Sequence, residues 1–236
     1  MHCIKTLSWM AIVLVLAGVG PNIFPAALAG YSTLPIMAIR LLLPAVAGLV
    51  VIAALVRANQ PALASGIVWG ALAGALATMP LEAVRLTGFH FDFMPGNLPR
   101  LMGVLLLNRF AQGPSAASDL AGWAYHFWNG ASFGIIYMIL FGSRRRWVGA
   151  VFGTAIGIGF MLSPVVTSLG VGYFGLQYSP GFPATVLLAH LAFGVALGFL
   201  AARFSRSQPS VLLSQLSPAC CSFRQTDVGS PCHGRV

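Results

Sequence analysis

The residues able to do chemistry in this chain are few. Among 236 residues there are four acids, Glu82, Asp92, Asp119 and Asp227, and five histidines. The first three acids and His90, His126 and His190 all fall toward the same end of the long apolar runs that contain or flank them. A charge in hydrocarbon costs several kcal/mol unless paired, so Arg40 and Glu82, both inside apolar runs, are expected to face protein and to line a substrate or proton path. The competing reading is an arginine that snorkels to the headgroups and a glutamate at the interface. His90, Asp92, His126 and His190 supply the nitrogen and oxygen donors that hold zinc or copper, and histidine can also relay protons because it titrates near neutrality. No local spacing of the His-Glu-x-x-His kind supports a metal, and we expect no cofactor.

Two stretches must position these groups. Tyr125–Phe141 and Ala189–Leu200 share the pattern His-x-x-x-Gly-x-x-x-Gly: His126, Gly130, Gly134 and His190, Gly194, Gly198. Residues four apart share a helix face. Each stretch therefore predicts a helix with a glycine groove and an imidazole at its N-terminal end, and such grooves let membrane helices pack backbone to backbone. Asn129, beside Gly130, is placed to hydrogen-bond across the groove or within its own helix. Each of these helices is preceded by another glycine stripe, Gly66, Gly70, Gly74 before the first and Gly149, Gly153, Gly157 before the second. The stripes lead to Pro80 and Gly88-Phe89, and to Pro164 and Gly172-Tyr173, at the same Pro-to-Gly separation. This reads as a duplicated helical hairpin. Repeats of that kind are common in transporters, whose sites lie at the repeat interface.

Composition sets the solvent. The chain is 58% hydrophobic and only 7% charged, where a soluble domain carries about a quarter charged residues. Six apolar runs have the roughly 20 residues needed to span a bilayer: Leu7–Leu28, Leu34–Val56, Ala62–Leu86, Asp119–Gly142, Trp147–Leu169 and Pro183–Phe204. The net charge of +9 is orienting charge at the ends of these runs, not a nucleic-acid surface. Lys5, Arg57, Arg144, Arg145, Arg146, Arg203 and Arg206 fall on one side and Arg85, Arg100 and Arg109 on the other, so the positive-inside rule puts both termini in the cytoplasm. The first run is read as a retained helix or as a cleaved signal ending near Ala27-Leu28-Ala29, and Gly18, Gly20, Pro21 and Pro25 are expected to break or kink it. In the outer loop Gly88–Ser118, Asn97 and Pro99 are helix-start residues for a short interfacial or re-entrant helix. Residues 1–206 form the membrane domain. Residues 207–236, with Cys220, Cys221, Cys232 and His233, read as a disordered cytoplasmic tail. The tryptophans near span ends read as interface anchors.

The stretch from His126 through Ser143-Arg144-Arg145-Arg146 and Gly149-x3-Gly153 to Ser163-Pro164 and Leu169-Gly170, followed by the His190 helix, resembles the YagU-type group of small bacterial inner-membrane proteins. The resemblance implies a bacterial inner-membrane location and carries over no catalytic residues. There is no Walker loop, no Gly-x-Ser-x-Gly and no dinucleotide fingerprint in a fitting context, so the chain is not expected to drive transport with ATP on its own. The expectation is an all-α polytopic bundle in the lipid bilayer: a small transporter or channel-like component with a polar cluster near its outer face. The alternatives are an accessory subunit that packs into a homo-oligomer or larger complex through its glycine stripes, and a metal-dependent membrane enzyme.

Overall fold

The computed structural model describes residues 2–142 and 146–205. The expected tail, Asp227, Arg144, Arg145 and Arg206 lie outside the described residues. The described chain is helical and contains no strand. Its elements are α1 (His2–Leu28), α2 (Leu34–Val56), α3 (Pro61–His90), α4 (Leu98–Leu106), α5 (Ala116–Leu140), α6 (Arg146–Leu162), α7 (Pro164–Ser168) and α8 (Gly181–Ser205).

Five of these are long and apolar enough to cross a membrane: α1, α2, α3, the α6–α7 pair and α8. Side chains such as Val15, Val50, Val151 and Leu188 point outward and are exposed, as expected of helices solvated by lipid on their outer faces. The remaining long helix, α5, spans 25 residues but is less apolar, because it carries Asp119, His126 and Asn129. It packs against α1, α3 and α4, so protein surrounds its polar face. Its start is fixed by a capping box in which Ser115 and Ser118 exchange side-chain and backbone hydrogen bonds.

The glycine stripes bring the helices together inside the chain. A Cβ at Gly74 would run into the carbonyl of Gly130, and one at Gly70 would lie 2.8 Å from the carbonyl oxygen of Gly134. In the second pair, Gly149 and Gly153 meet Gly198 and Gly194, and Gly157 meets the His190 ring. The two hairpins use the same device, but their contact register differs from the one the Pro-to-Gly spacing suggests. Gly74, not Gly66, occupies the place of Gly149, because each lies against the first glycine's carbonyl and the second glycine of the facing helix (Gly130 O and Gly134; Gly194 O and Gly198), and Thr78 occupies the place of Gly153. Gly66 faces Ile139 instead. The shift is two helical turns, which a four-residue repeat cannot distinguish.

Proline shapes three helices in different ways. α1 is not broken: it runs continuously through Pro21 and Pro25. Extra donors serve the carbonyls of the turn before the prolines: Asn22 Nδ2 donates to Gly18 O at 2.7 Å and the Tyr125 hydroxyl donates to Gly20 O at 2.7 Å. In α2, Pro44 has no N–H to offer the Arg40 carbonyl. A π-helical turn, Ala38–Leu42, absorbs the mismatch, and the N–H of Leu43 reaches back to Ala38 O. The span expected to run through to Leu169 breaks at Ser163, which is extended (φ −76°, ψ 160°). A residue before proline is pushed out of the helical region, and Ser163 caps the new helix by accepting from the N–H of Val165.

α4 is the helix expected in the outer loop. The Asn97 side chain accepts from the N–H of Arg100 at its start. Gly103 lies against Ser118 and Gly122 of α5 closely enough that neither glycine has room for a Cβ. The Arg100–Asp119 ion pair (3.0 Å) joins the same two helices at the surface.

Candidate functional site

α3 is 30 residues long, about 45 Å at 1.5 Å per residue, which exceeds the roughly 30 Å hydrocarbon core. Glu82 and Arg85 lie on its last turns, one turn apart and on one face. Both are buried, each with a relative exposure of 5%. Arg85 Nε sits 2.8 and 2.9 Å from the two Glu82 oxygens, and Arg85 Nη2 donates to Glu82 Oε2 at 2.6 Å. Arg85 Nη2 also reaches Asn97 Oδ1 at 3.3 Å, which ties the buried pair to the start of α4. From α5, His126 Nε2 comes within 2.8 Å of Glu82 Oε1. The approach is close enough for an ion pair, although its angle lies outside hydrogen-bond geometry. One carboxylate thus holds both a guanidinium and an imidazole.

These side chains form part of the wall of a cavity of about 460 Å³, within the 300–1,000 Å³ usual for small-molecule sites. It lies at the end of the bundle where α1, α3 and α6 finish and α5 and α8 begin. α1 contributes Pro21, Asn22, Phe24 and Pro25; α3 contributes Leu81 and Arg85; α4 and the loop before it contribute Met94, Leu98 and Met102. His126, Asn129 and Phe133 come from α5, and Val186, Ala189 and His190 from α8. The broken α6–α7 junction adds Ile156, Gly159, Phe160, Ser163, Pro164 and Val165. Most of the wall is apolar.

Four buried polar atoms among the lining side chains lack a hydrogen-bond partner: Arg85 Nη1, Asn129 Oδ1 and both ring nitrogens of His126, of which Nε2 faces Glu82. The orientation of Asn129 follows from its neighbour. The Tyr125 hydroxyl donates its proton to Gly20 O, so its bond with Asn129 must be received from the amide NH₂. That leaves the amide oxygen as the free acceptor. His190 places Nδ1 2.8 Å from the Val186 carbonyl, which fixes Nδ1 as the donor and leaves Nε2 as an acceptor. Its ring stacks on Phe160 at 5.8 Å between centroids.

Of the residues singled out in the sequence, Glu82 and His126 meet directly, and His190 lines the same cavity. Arg40 does not join them. It is exposed on the outside of α2, at the π-helical turn, and Glu82 is paired by Arg85 instead. His90, the last residue of α3, and Asp92, just beyond it, are both exposed, and Asp92 takes a left-handed conformation (φ 58°) at the helix exit. Among the described residues no three His, Cys, Asp or Glu side chains are grouped closely enough to hold a metal ion. Sequence reasoning placed Arg85 at the outer boundary and within the outer polar cluster, but paired Glu82 with Arg40, although the three-residue spacing of Arg85 from Glu82 is a standard helical ion-pair interval. It read Asn97 only as a helix start and Ser163-Pro164 only as part of a span.

No protein-family model matches this chain, and neither the curated proteins nor the solved structures searched contain a match to it.

Proposed function

We propose that the protein is a multi-pass membrane transporter or channel-like component that takes a small solute into the cavity between α1, α3, α5, α6 and α8. The observation that carries this reading is Arg85: a buried guanidinium among the cavity-lining residues, with Nη1 unpartnered. A group left unsatisfied in apolar surroundings is costly, and a solute or water in the cavity removes that cost. The break at Ser163-Pro164 supports the same reading, since transporter sites commonly sit where a membrane helix is interrupted. The accessory-subunit alternative relied on glycine stripes open to a partner. Gly70, Gly74, Gly149 and Gly153 are instead covered by α5 and α8 of the same chain. A bacterial inner-membrane location with both termini cytoplasmic, and kinship to the YagU-type group, belong to this proposal and rest on the sequence features alone.

Side-resolved cysteine labelling tests it. In a chain whose four native cysteines are replaced by serine, Ser163→Cys is treated in sealed membranes with an impermeant thiol reagent from either face. Labelling from both faces is the result expected of a cavity that opens alternately. Labelling from one face alone would reduce the protein to a receptor-like site, and no labelling would make the cavity a structural void.

A further inference from the structure

We infer that the cavity binds a carboxylic acid with an apolar body, taken up together with one proton that His126 accepts. The inference rests on the proposed solute-binding role of the cavity. Apart from His126 Nε2, which faces Glu82, the unpartnered atoms of the lining groups are one charged donor, Arg85 Nη1, and acceptors at Asn129 Oδ1 and His126 Nδ1; the Nδ1–Val186 bond of His190 makes its second nitrogen a further acceptor. A guanidinium edge suits a carboxylate, and charge-assisted bonds of this kind are about twice as strong as neutral ones. A cationic solute is disfavoured, because it would lie against Arg85.

Charge balance supplies the proton. The charged and titratable side chains lining or directly flanking the cavity are Glu82 and Arg85 on α3, His126 on α5 and His190 on α8. On the remaining walls α1 offers Asn22 and α6–α7 offers Ser163, while Arg100 of α4 is engaged with Asp119 at the surface. Glu82 and Arg85 cancel each other's charge. A bound carboxylate alone would leave one uncompensated negative charge in a largely apolar chamber. If the solute enters as the acid, its O–H bond breaks, the electron pair stays on the carboxylate oxygen, and a new N–H forms at His126 Nδ1. If it enters as the anion, the proton comes from water. Either way the imidazolium then lies between two carboxylates, Glu82 at Nε2 and the solute at Nδ1, and the site is neutral.

Isothermal titration of benzoate into the detergent-solubilised full chain at pH 8, in phosphate and in Tris, reads both affinity and proton stoichiometry. We expect one benzoate per chain with uptake of close to one proton, at least tenfold weaker binding of benzamide, and no binding of benzylamine. Arg85→Lys keeps a cation beside Glu82 but removes the guanidinium fork, and should weaken benzoate at least tenfold. His126→Gln keeps an amide donor toward Glu82 and should abolish proton uptake. Octanoate displacing benzoate at equal concentration assigns the site to membrane-derived acyl chains, and failure to displace it assigns the site to compact aqueous acids. Benzamide binding as tightly as benzoate, or benzoate binding without proton uptake in the unaltered protein, overturns the inference. Absence of benzoate binding alongside two-sided labelling of Ser163→Cys overturns the solute class and leaves the transport reading standing.

Discussion

Glu82 Oε1 stands 2.8 Å from His126 Nε2, across the seam between α3 and α5, while Glu82 Oε2 stands 2.6 Å from Arg85 Nη2. The carboxylate cross-links two helices and holds two nitrogen-bearing side chains at the cavity wall. Arg85 is in turn tied to α4 through Asn97. The start of α4 and the charged side chains at the cavity wall are therefore one connected structure.

Removing the carboxylate charge should cost stability as well as any activity. Glu82→Gln leaves Arg85 a buried cation without its counter-charge, and breaking a buried pair from one side costs about 3–5 kcal/mol. Replacing both, as Glu82→Leu with Arg85→Met, removes the uncompensated charge and should recover most of that loss while abolishing solute binding. Thermal unfolding in detergent distinguishes the two variants. Equal melting temperatures for Glu82→Gln and the unaltered chain would show that the pair is not structural.

The glycine contacts make a sharper packing prediction. Gly153→Ala drives a methyl group into the His190 carbonyl, and Gly74→Ala drives one into the Gly130 carbonyl. Overpacking of this sort costs about 1–3 kcal/mol, and backbone cannot move aside as a flexible side chain would. Gly96 has nothing within 4 Å of a new Cβ, so Gly96→Ala should leave stability unchanged. Yield and monodispersity after solubilisation report the difference.

These contacts also mark what sequence could and could not reveal. A four-residue glycine period identifies the close-packed faces because only one face of a helix repeats at that interval. It cannot fix register, since sliding by one turn restores the same pattern, and the hairpin correspondence was accordingly displaced by eight residues, with Gly74 rather than Gly66 in the place of Gly149. Glu82 and His126 were placed at a common depth by counting residues from the span ends. Depth says nothing about azimuth, and Arg40 faces outward at a depth that suggested partnership. The cavity wall draws on α1, α4 and α6–α7, whose contributions depend on tertiary packing that no local pattern encodes. Arg85 was legible as a member of the outer polar cluster, but the apparent depth of Arg40 within its span drew the pairing with Glu82 to Arg40 instead.

Two polar contacts hold α4, and they should differ in weight. Arg100 and Asp119 pair at 3.0 Å with side chains 55% and 31% exposed, so Arg100→Ala should cost at most about 1 kcal/mol, less at high salt. Asn97→Ala removes a helix cap, worth about 0.5–2 kcal/mol, and also an acceptor of the buried Arg85. It should destabilise the protein more and expose the Met94–Met102 wall to faster proteolysis. The reverse ranking in limited proteolysis would count against this description of how α4 is held.

Arg40 should be dispensable to the cavity. It lies on the outer surface of α2 and does not line the cavity. Arg40→Leu is expected to leave benzoate affinity within twofold of the unaltered chain. A tenfold loss would return Arg40 to the site.

The central claim is that the cavity is a solute site whose polar end is held by Arg85 and His126. The most direct measurement is a crystal structure of the protein with 4-bromobenzoate, using anomalous scattering to locate the bromine. The account predicts one bromine peak inside the cavity, near the apolar wall of Phe133, Ile156 and Phe160, with the carboxylate directed at Arg85 Nη1. An empty cavity at saturating ligand, or a bromine peak only on the outer surface of the bundle, would contradict it.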